Sequence, residues 1–478
     1  MMQRRSVPRA RRHPRRGIIL FLGLLLLTGI ATLIPVTQMR AMQDLSMAKR
    51  TLAEQQALDA AEGGLDRAFQ WIQTRPSPPP CAEQEDPCPI DHPYDGAQAL
   101  PAGSYTMTIT GPLANDTSTI DFFTISVTGE SADGAASRAV STTIRTENFA
   151  RYAYFSNTEI LAGGGGGVNF GTIDALYGPV HTNGQFNIDS SLVGVPPGTP
   201  IGPFFYDTVT SVWATVNCLH GCPPYDPLPA NPPAPDTPQF YQGFQGGAAP
   251  IQLPVNDDRW AQLKTDSLVL PHDTTIQIVG QTLLVTNNDK GWVNEPVAVN
   301  GQAIYVEGGD LTITGGTLDG QLTLVSDRDI VLQDSVVYQC NPLELDTDLD
   351  CRDADGNVTQ NNDVLGLVAQ RHIKVVDNIP NDATVQASIM AVKGSFYYDG
   401  VMNEQPDGSV WKDPATVAPA KGTLHILGGL IQDRRGLIWM GGHGFSGKDY
   451  KYDTRFANLS PPFFPTTGKY ETVLWQDQ

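Results

Sequence analysis

The segment ELDTDLDCRDADGNVTQNND, residues 344 to 363, concentrates oxygen donors as no other part of the chain does. Calcium takes six to eight oxygens, and alternating acids followed by Gly and Asn can supply them from a tight turn. Asp346, Asp348, Asp350, Asp353, Asp355 and Asn357 are therefore candidate calcium ligands, with Glu344 and Asp363 at the ends of the loop. The pattern lacks the bidentate Glu at the twelfth place of an EF-hand, and a solvated acidic loop is the alternative. A second candidate is CLHGC, where Cys218, His220 and Cys222 suit a soft metal, but no fourth ligand follows at metal-site spacing. The six cysteines instead fall into local pairs: Cys81 with Cys88, Cys218 with Cys222, and Cys340 with Cys351. An even count in an exported acidic chain favours disulfides. GGHGFSGKD matches phosphate-loop spacing from Gly442 to Lys448, but Asp449 stands where a magnesium-holding Ser or Thr belongs, so the match reads as chance. His181, in PVHTNG, reads as a turn cap between strands rather than a catalytic group, and no serine, cysteine or zinc hydrolase signature is present.

These residues sit in a chain whose start is of a different kind. Seven arginines and no acid occupy the first 16 positions, and Ile18 to Ile34 form an uncharged run of 17 residues. That run just spans a bilayer and exceeds a signal-peptide core, and no small-x-small cleavage site follows it. The one-sided arginines put the N-terminus in the cytoplasm and the remainder outside. Without them the balance is 24 Lys and Arg against 51 Asp and Glu, or −27. A body so acidic repels phosphate backbones, which argues against a nucleic-acid partner.

The helix is expected to outrun the membrane. Met42, Leu45, Leu52, Leu58, Ala61, Leu65, Ala68, Phe69 and Ile72 recur at three- and four-residue intervals. Pro35 is expected to bend the helix rather than end it. The stretch from Ile18 to Gln73 is then about 84 Å long, more than twice what an anchor needs. TRPSPPP ends it.

A basic leader, Gly17 directly before the apolar run, and the continuing AEQQALDAAEGGLDRA together resemble the N-terminal region of PilX-like type IV pilus assembly proteins, the minor pilins of bacteria. The resemblance implies prepilin cleavage between Gly17 and Ile18. It also implies a helix that rests in the inner membrane or packs among other pilins and pilus assembly components. Leu22 stands where typical pilins carry Glu, leaving a tip or accessory position, or an unprocessed chain, open.

Downstream, GSYTMTIT, IDFFTISVTG and ASRAVSTTIRT predict a small antiparallel meander. From about residue 148, short strands recur every eight to ten residues with Gly at the corners, as in QAIYVEGGDLTITGGTLDGQLTLVSDRDIVLQDSVVYQ. That spacing suits a parallel β-helix-like solenoid, with a β-sandwich as the alternative. YGPVHTNGQFNI and the ending YKYDTRFANLSPPFFPTTGKY resemble an uncharacterised domain family of pilus-assembly proteins. The expected organisation is a leader (1–17), a transmembrane and amphipathic helix (18–75), a small antiparallel β domain (76–147) and an exported β-helix-like domain (148–478). The fold class is mainly β with one long N-terminal helix. The expected role is that of a structural or assembly protein presenting an extracytoplasmic β-rich interaction module, without cofactor unless calcium; the competing readings are a membrane-tethered β-helix enzyme or an adhesin acting on cell-surface polysaccharide.

Overall fold

The computed structural model describes residues 16–75, 88–111, 122–161, 167–171, 174–189, 202–218, 239–255, 257–265, 267–340, 351–352, 358–359, 362–405, 409–412 and 419–477. The chain is mainly β with one long N-terminal helix. That helix, α1, runs unbroken over Arg16–Gln73 with Pro35 inside it. Three threonine hydroxyls donate back to carbonyls one turn earlier: Thr28 to Leu24 (3.1 Å), Thr32 to Thr28 (3.1 Å) and Thr37 to Leu33 (3.0 Å). Polar groups paired inside the helix need no water, so they are tolerated in an apolar surrounding.

The second half of α1 lies on an antiparallel sheet ordered Cys88–Pro89, Gly103–Gly111, Phe122–Ser131, Ser137–Asn148, Thr466–Asp477, with Gln98–Leu100 beside Gly103–Gly111. Period-two alternation turns Tyr105, Met107, Ile109, Phe123, Ile125, Val127, Val140 and Ile144 toward Ala61, Leu65, Ala68 and Ile72 of the helix. Hydroxyls line the other face, as in Thr124 opposite Thr143 and Ser126 opposite Ser141. The meander is as expected from the sequence, but its fourth long strand is not. Thr466–Asp477 was expected in the 148–478 body; it returns across more than 300 residues to pair with Ser137–Asn148.

The rest of the chain is dominated by parallel pairing. One ladder stacks, in spatial order, Ser267–Pro271, Gln302–Glu307, Gln321–Ser326, Val364–Ala369, Ala383–Ala391, Ala420–Arg434, Tyr154–Thr158, Val180–Thr182, Val209–Ser211 and Phe244–Gly246. The chain thus enters mid-ladder at Tyr154 and builds to one end at Gly246. It then crosses to the other end at Ser267 and works back to the middle. A second parallel ladder includes Thr274–Gly280, Leu311–Leu318, Ile330–Leu332, Ile373–Val375 and Phe396–Tyr398. Shorter ones join Asn169–Gly171, Asn187–Asp189 and Asn217–Cys218, and Ala175–Leu176, Phe204–Phe205 and Gln239–Phe240.

Two apolar clusters sandwich the main ladder. Ile304, Val306, Leu322, Leu324, Leu365 and Leu367 point into the larger core. Their neighbours Tyr305, Val325, Val364 and Val368 point the other way, under Trp260 and Leu263 of a second helix, α2 (Asp258–Thr265), and under Ile251, Leu253, Phe456 and Phe464. Burial on both sides explains why VLGLVA is apolar at every position instead of alternating. The sequence reading did not include α2.

Candidate functional site: a projecting apolar helix and a charged junction

Twelve large apolar side chains between Ile18 and Ile34 are exposed, from Ile18 (62%) to Ile34 (50%). Burying each is worth roughly 1.5–3 kcal/mol, so together they forgo tens of kcal/mol in water. Among the described residues nothing covers them: the apolar window of this helix is wholly unburied and has a mean hydropathy of 2.5. Ile18 to Met39 carries no charge and rises about 33 Å, matching a hydrocarbon core of about 30 Å. Gly17 and Ile18 sit in its first turns, and Leu22 is exposed.

Burial begins at Ala53, where small residues take over. Ala53, Ala57, Ala60, Ala61 and Ala68 are all buried. The seam is so close that a Cβ at Gly129, in the strand Phe122–Ser131, would stand 2.1 Å from the Ala57 carbonyl oxygen and 2.5 Å from the Ala61 nitrogen. A Cβ at Gly64 would meet Tyr105 and Val127 at 2.7 Å. Glycine at these two positions is what lets the helix backbone touch the sheet.

Where the small sheet meets the parallel ladders, a cavity of about 360 Å³ opens. Arg145 Nη2 donates to Glu471 Oε2 at 2.9 Å, and Arg151 bridges Glu147 (3.1 Å) and Glu471. The Tyr152 hydroxyl donates to Glu147 Oε1 at 2.7 Å, and the Thr467 hydroxyl to Glu147 Oε2 at 3.0 Å. Burial, with the Glu147 charge beside it, pushes the Tyr152 phenol well above its ordinary value. The junction is thus tied by a network contributed from both ends of the body.

His181 is placed differently from its sequence reading as a turn cap. It lies within the strand Val180–Thr182, buried and stacked on Phe155 at 5.3 Å. Its Nδ1 pairs with the Thr210 hydroxyl at 2.7 Å and its Nε2 with Asn183 Oδ1 at 3.0 Å. Burial lowers its pKa, partly offset by the Asn183 hydrogen bond. The stretch from Gly442 to Lys448 is no phosphate loop: His443–Lys451 is a strand, and Lys448 pairs with Asp174 at 3.1 Å. Asp346, Asp348, Asp350, Asp353, Asp355 and Asn357 lie outside the described residues, as do Cys81, His220 and Cys222. Cys88, Cys218 and Cys340 are disulfide-bonded.

A charged group inside the fold went unread in the sequence. Arg435 is buried beside Glu159 (3.5 Å) and Asp174 (3.8 Å), with its guanidinium 3.6 Å from the Phe170 ring centre. Desolvation raises the Glu159 pKa against the pull of Arg435, while its Oε1 accepts from Tyr154 at 3.1 Å and from Ser156. Also missed was a row of stacked tyrosines, Tyr177, Tyr206 and Tyr241. Each directly follows an apolar residue ending a short strand, in LYG, FYD and FYQ, a signal that means little until the strands are known to stack.

Residues 119–212 match the family model of a domain of unknown function, DUF4900. The matched part covers the last two strands of the meander and the first strands of the body. No curated protein matches the chain. Among solved structures, the crystal structure of the competence-associated pilin ComZ from Thermus thermophilus aligns over 89% of this chain and 97% of its own, at 13% identity and a TM-score of 0.34. An overlap that loose does not equate the two folds.

Proposed function

We propose that this chain is a pilin-like, membrane-anchored structural protein of a type IV pilus or related assembly, without enzymatic activity. The observation that carries the reading is the division of α1: a bare, charge-free first half of bilayer length, then a small-residue half seated on an antiparallel sheet. A soluble protein would not leave twelve large apolar side chains in water, and a plain anchor would not continue for another 30 residues into a sheet. The apolar half rests in the inner membrane with the basic leader in the cytoplasm, and the acidic body lies outside. Its partners are other pilins or pilus assembly components, as in the PilX-like proteins it resembles.

In this reading the body is a parallel β-helix-like solenoid, supported by ladders that pair in parallel strand after strand. Local bridges join Cys81 to Cys88, Cys218 to Cys222 and Cys340 to Cys351, and the 344–363 loop binds calcium. Calcium binding predicts a higher melting temperature with calcium than with chelator, and its loss when Asp346, Asp348 and Asp350 are replaced by Asn. Equal melting in both conditions removes the ion from the model.

The anchoring reading is tested by mass spectrometry of the terminal peptide of chain isolated from native membranes. A mature chain beginning at Ile18 supports processing and assembly. A chain beginning at Met1 or Met2 reduces α1 to a static anchor, and recovery of the chain in the soluble fraction refutes membrane anchoring altogether.

A further inference from the structure

The parallel pairing of Ala175–Leu176, Phe204–Phe205 and Gln239–Phe240 buries Leu176, Phe205 and Phe240 in the core. The ladder continues one residue further, through Tyr206 N to Leu176 O (3.0 Å) and Tyr241 N to Phe205 O (2.9 Å). Alternation then turns the three following tyrosines outward, one above another at the strand spacing. Tyr177 and Tyr206 stack at 4.4 Å with planes 4° apart, and Tyr206 and Tyr241 at 5.0 Å and 9°. All three are substantially exposed, at 43%, 38% and 55%. Three aligned aromatic rings on an outer surface bury no core, and their mutual stacking fixes them as a rigid column with a free face at each end.

The row does not stand alone. Tyr177, its end ring, lines the 360 Å³ junction cavity, whose size falls in the range of small-ligand pockets. Gly178 (φ +111°) permits the approach: a Cβ there would meet Tyr452 at 2.5 Å, and Tyr452 forms another wall. The charged lining is Arg145 and Arg151 against Glu147, Glu471 and Asp207. The arginines are already paired with Glu147 and Glu471. Among the described lining residues a free anion finds no unpaired cation, and the chain's charge of −20 repels a polyanion at longer range.

We infer that the junction cavity and the tyrosine row form one binding site for a neutral glycan strand. Sugar hydroxyls both donate and accept, so they satisfy carboxylates and guanidiniums that stay paired with each other. The apolar C–H face of a pyranose suits the electron-rich face of an aromatic ring. Tyr177 is covered on one face by Tyr206 and lines the cavity, so it is the ring expected to stack on sugar. Tyr206, with a ring on each face, holds Tyr177 in place, and Tyr241 offers the second uncovered face at the far end of the row. The inference rests on the proposed placement of the body outside the membrane and adds a ligand class to the pilus partners proposed above.

The test is calorimetric titration of the purified full-length chain in detergent micelles with chitohexaose, cellohexaose and xylohexaose, and with polygalacturonate as the anionic comparison. The expected result is saturable binding of at least one neutral hexasaccharide. Tyr177→Ala should weaken it about 3- to 10-fold, the value of one aromatic contact, and Tyr241→Ala should weaken it less. Val293→Ser, on an exposed hairpin strand in the half of the body built from the opposite end of the ladder, should leave it unchanged. If Tyr177→Ala melts early, Tyr241→Ala, at the exposed end of the row, carries the test. The inference is overturned if no neutral hexasaccharide binds, if only polygalacturonate binds, or if both tyrosine variants melt normally and bind like the parent. Because purified chain is used, the result is independent of whether the leader is cleaved or a filament forms.

Discussion

Gly129→Val tests whether the small-residue seam holds α1 to the sheet. Gly129 faces the helix in a strand whose alternate residues are buried. The added Cβ would stand 2.1 Å from Ala57 O and 2.5 Å from Ala61 N, where ordinary contact begins near 3.4 Å. Both obstacles are backbone atoms of the helix, so no side-chain rotation relieves them. The helix must lift by about 1 Å or the strand must bend, opening gaps around Tyr105 and Val127 at the Gly64 contact. Overpacking of this kind costs roughly 1–3 kcal/mol, and the backbone obstacles put this site at the upper end. A loss of about 3 kcal/mol corresponds to a fall of roughly 6–12 °C in the melting transition of a unit of 150–250 residues. The assay is differential scanning calorimetry of the full-length chain in detergent, with Thr128→Ala on the opposite face as control, expected within about 0.5 kcal/mol of the parent. A Gly129→Val chain that melts within a degree of the parent would show that the helix does not seat as described.

Two further outcomes follow from buried charge. Arg435→Met strands Glu159 in the core and should cost about 3–5 kcal/mol in denaturant unfolding; a variant unchanged in midpoint and slope would mean the pair is not buried. His181 is held neutral because burial lowers its pKa below the usual imidazole value. Its contribution is therefore complete above about pH 6.5 and is lost as pH falls toward the depressed value, with a slope of up to about 1.4 kcal/mol per pH unit. Between pH 6.5 and 5, His181→Gln should flatten the pH dependence of melting; an identical slope in parent and variant would rule out this histidine as the source.

Local signals carried much of the architecture. Arginines followed by an uncharged, mostly apolar run of 17 residues read as a long apolar helix, and the structure has one with none of that run buried. Its continuation followed from the three- and four-residue spacing of Leu58, Ala61, Leu65, Ala68 and Ile72, which the structure seats on the sheet. GSYTMTIT, IDFFTISVTG and ASRAVSTTIRT alternate with period two, and they pair as the meander that alternation demands.

Other features were decided only by contacts between residues far apart. Nothing local marks Gly129 as the partner of Ala57 and Ala61, or Thr466–Asp477 as the strand that completes the small sheet. The order in which strands 154–246 and 267–434 meet in mid-ladder is likewise invisible in the sequence, since parallel neighbours are chosen by register and not by adjacency. His181 shows the same limit: beside Asn and Gly it reads as a turn residue, yet pairing of Val180–Thr182 with strands on both sides buries it. The sequence by itself determined the long apolar N-terminal helix, the acidic charge and the β-rich character of the body, because hydropathy, charge and alternation act over a few residues. Tertiary structure decided the helix seam, the junction cavity and the tyrosine row, because each exists only when segments tens to hundreds of residues apart come within a few ångströms.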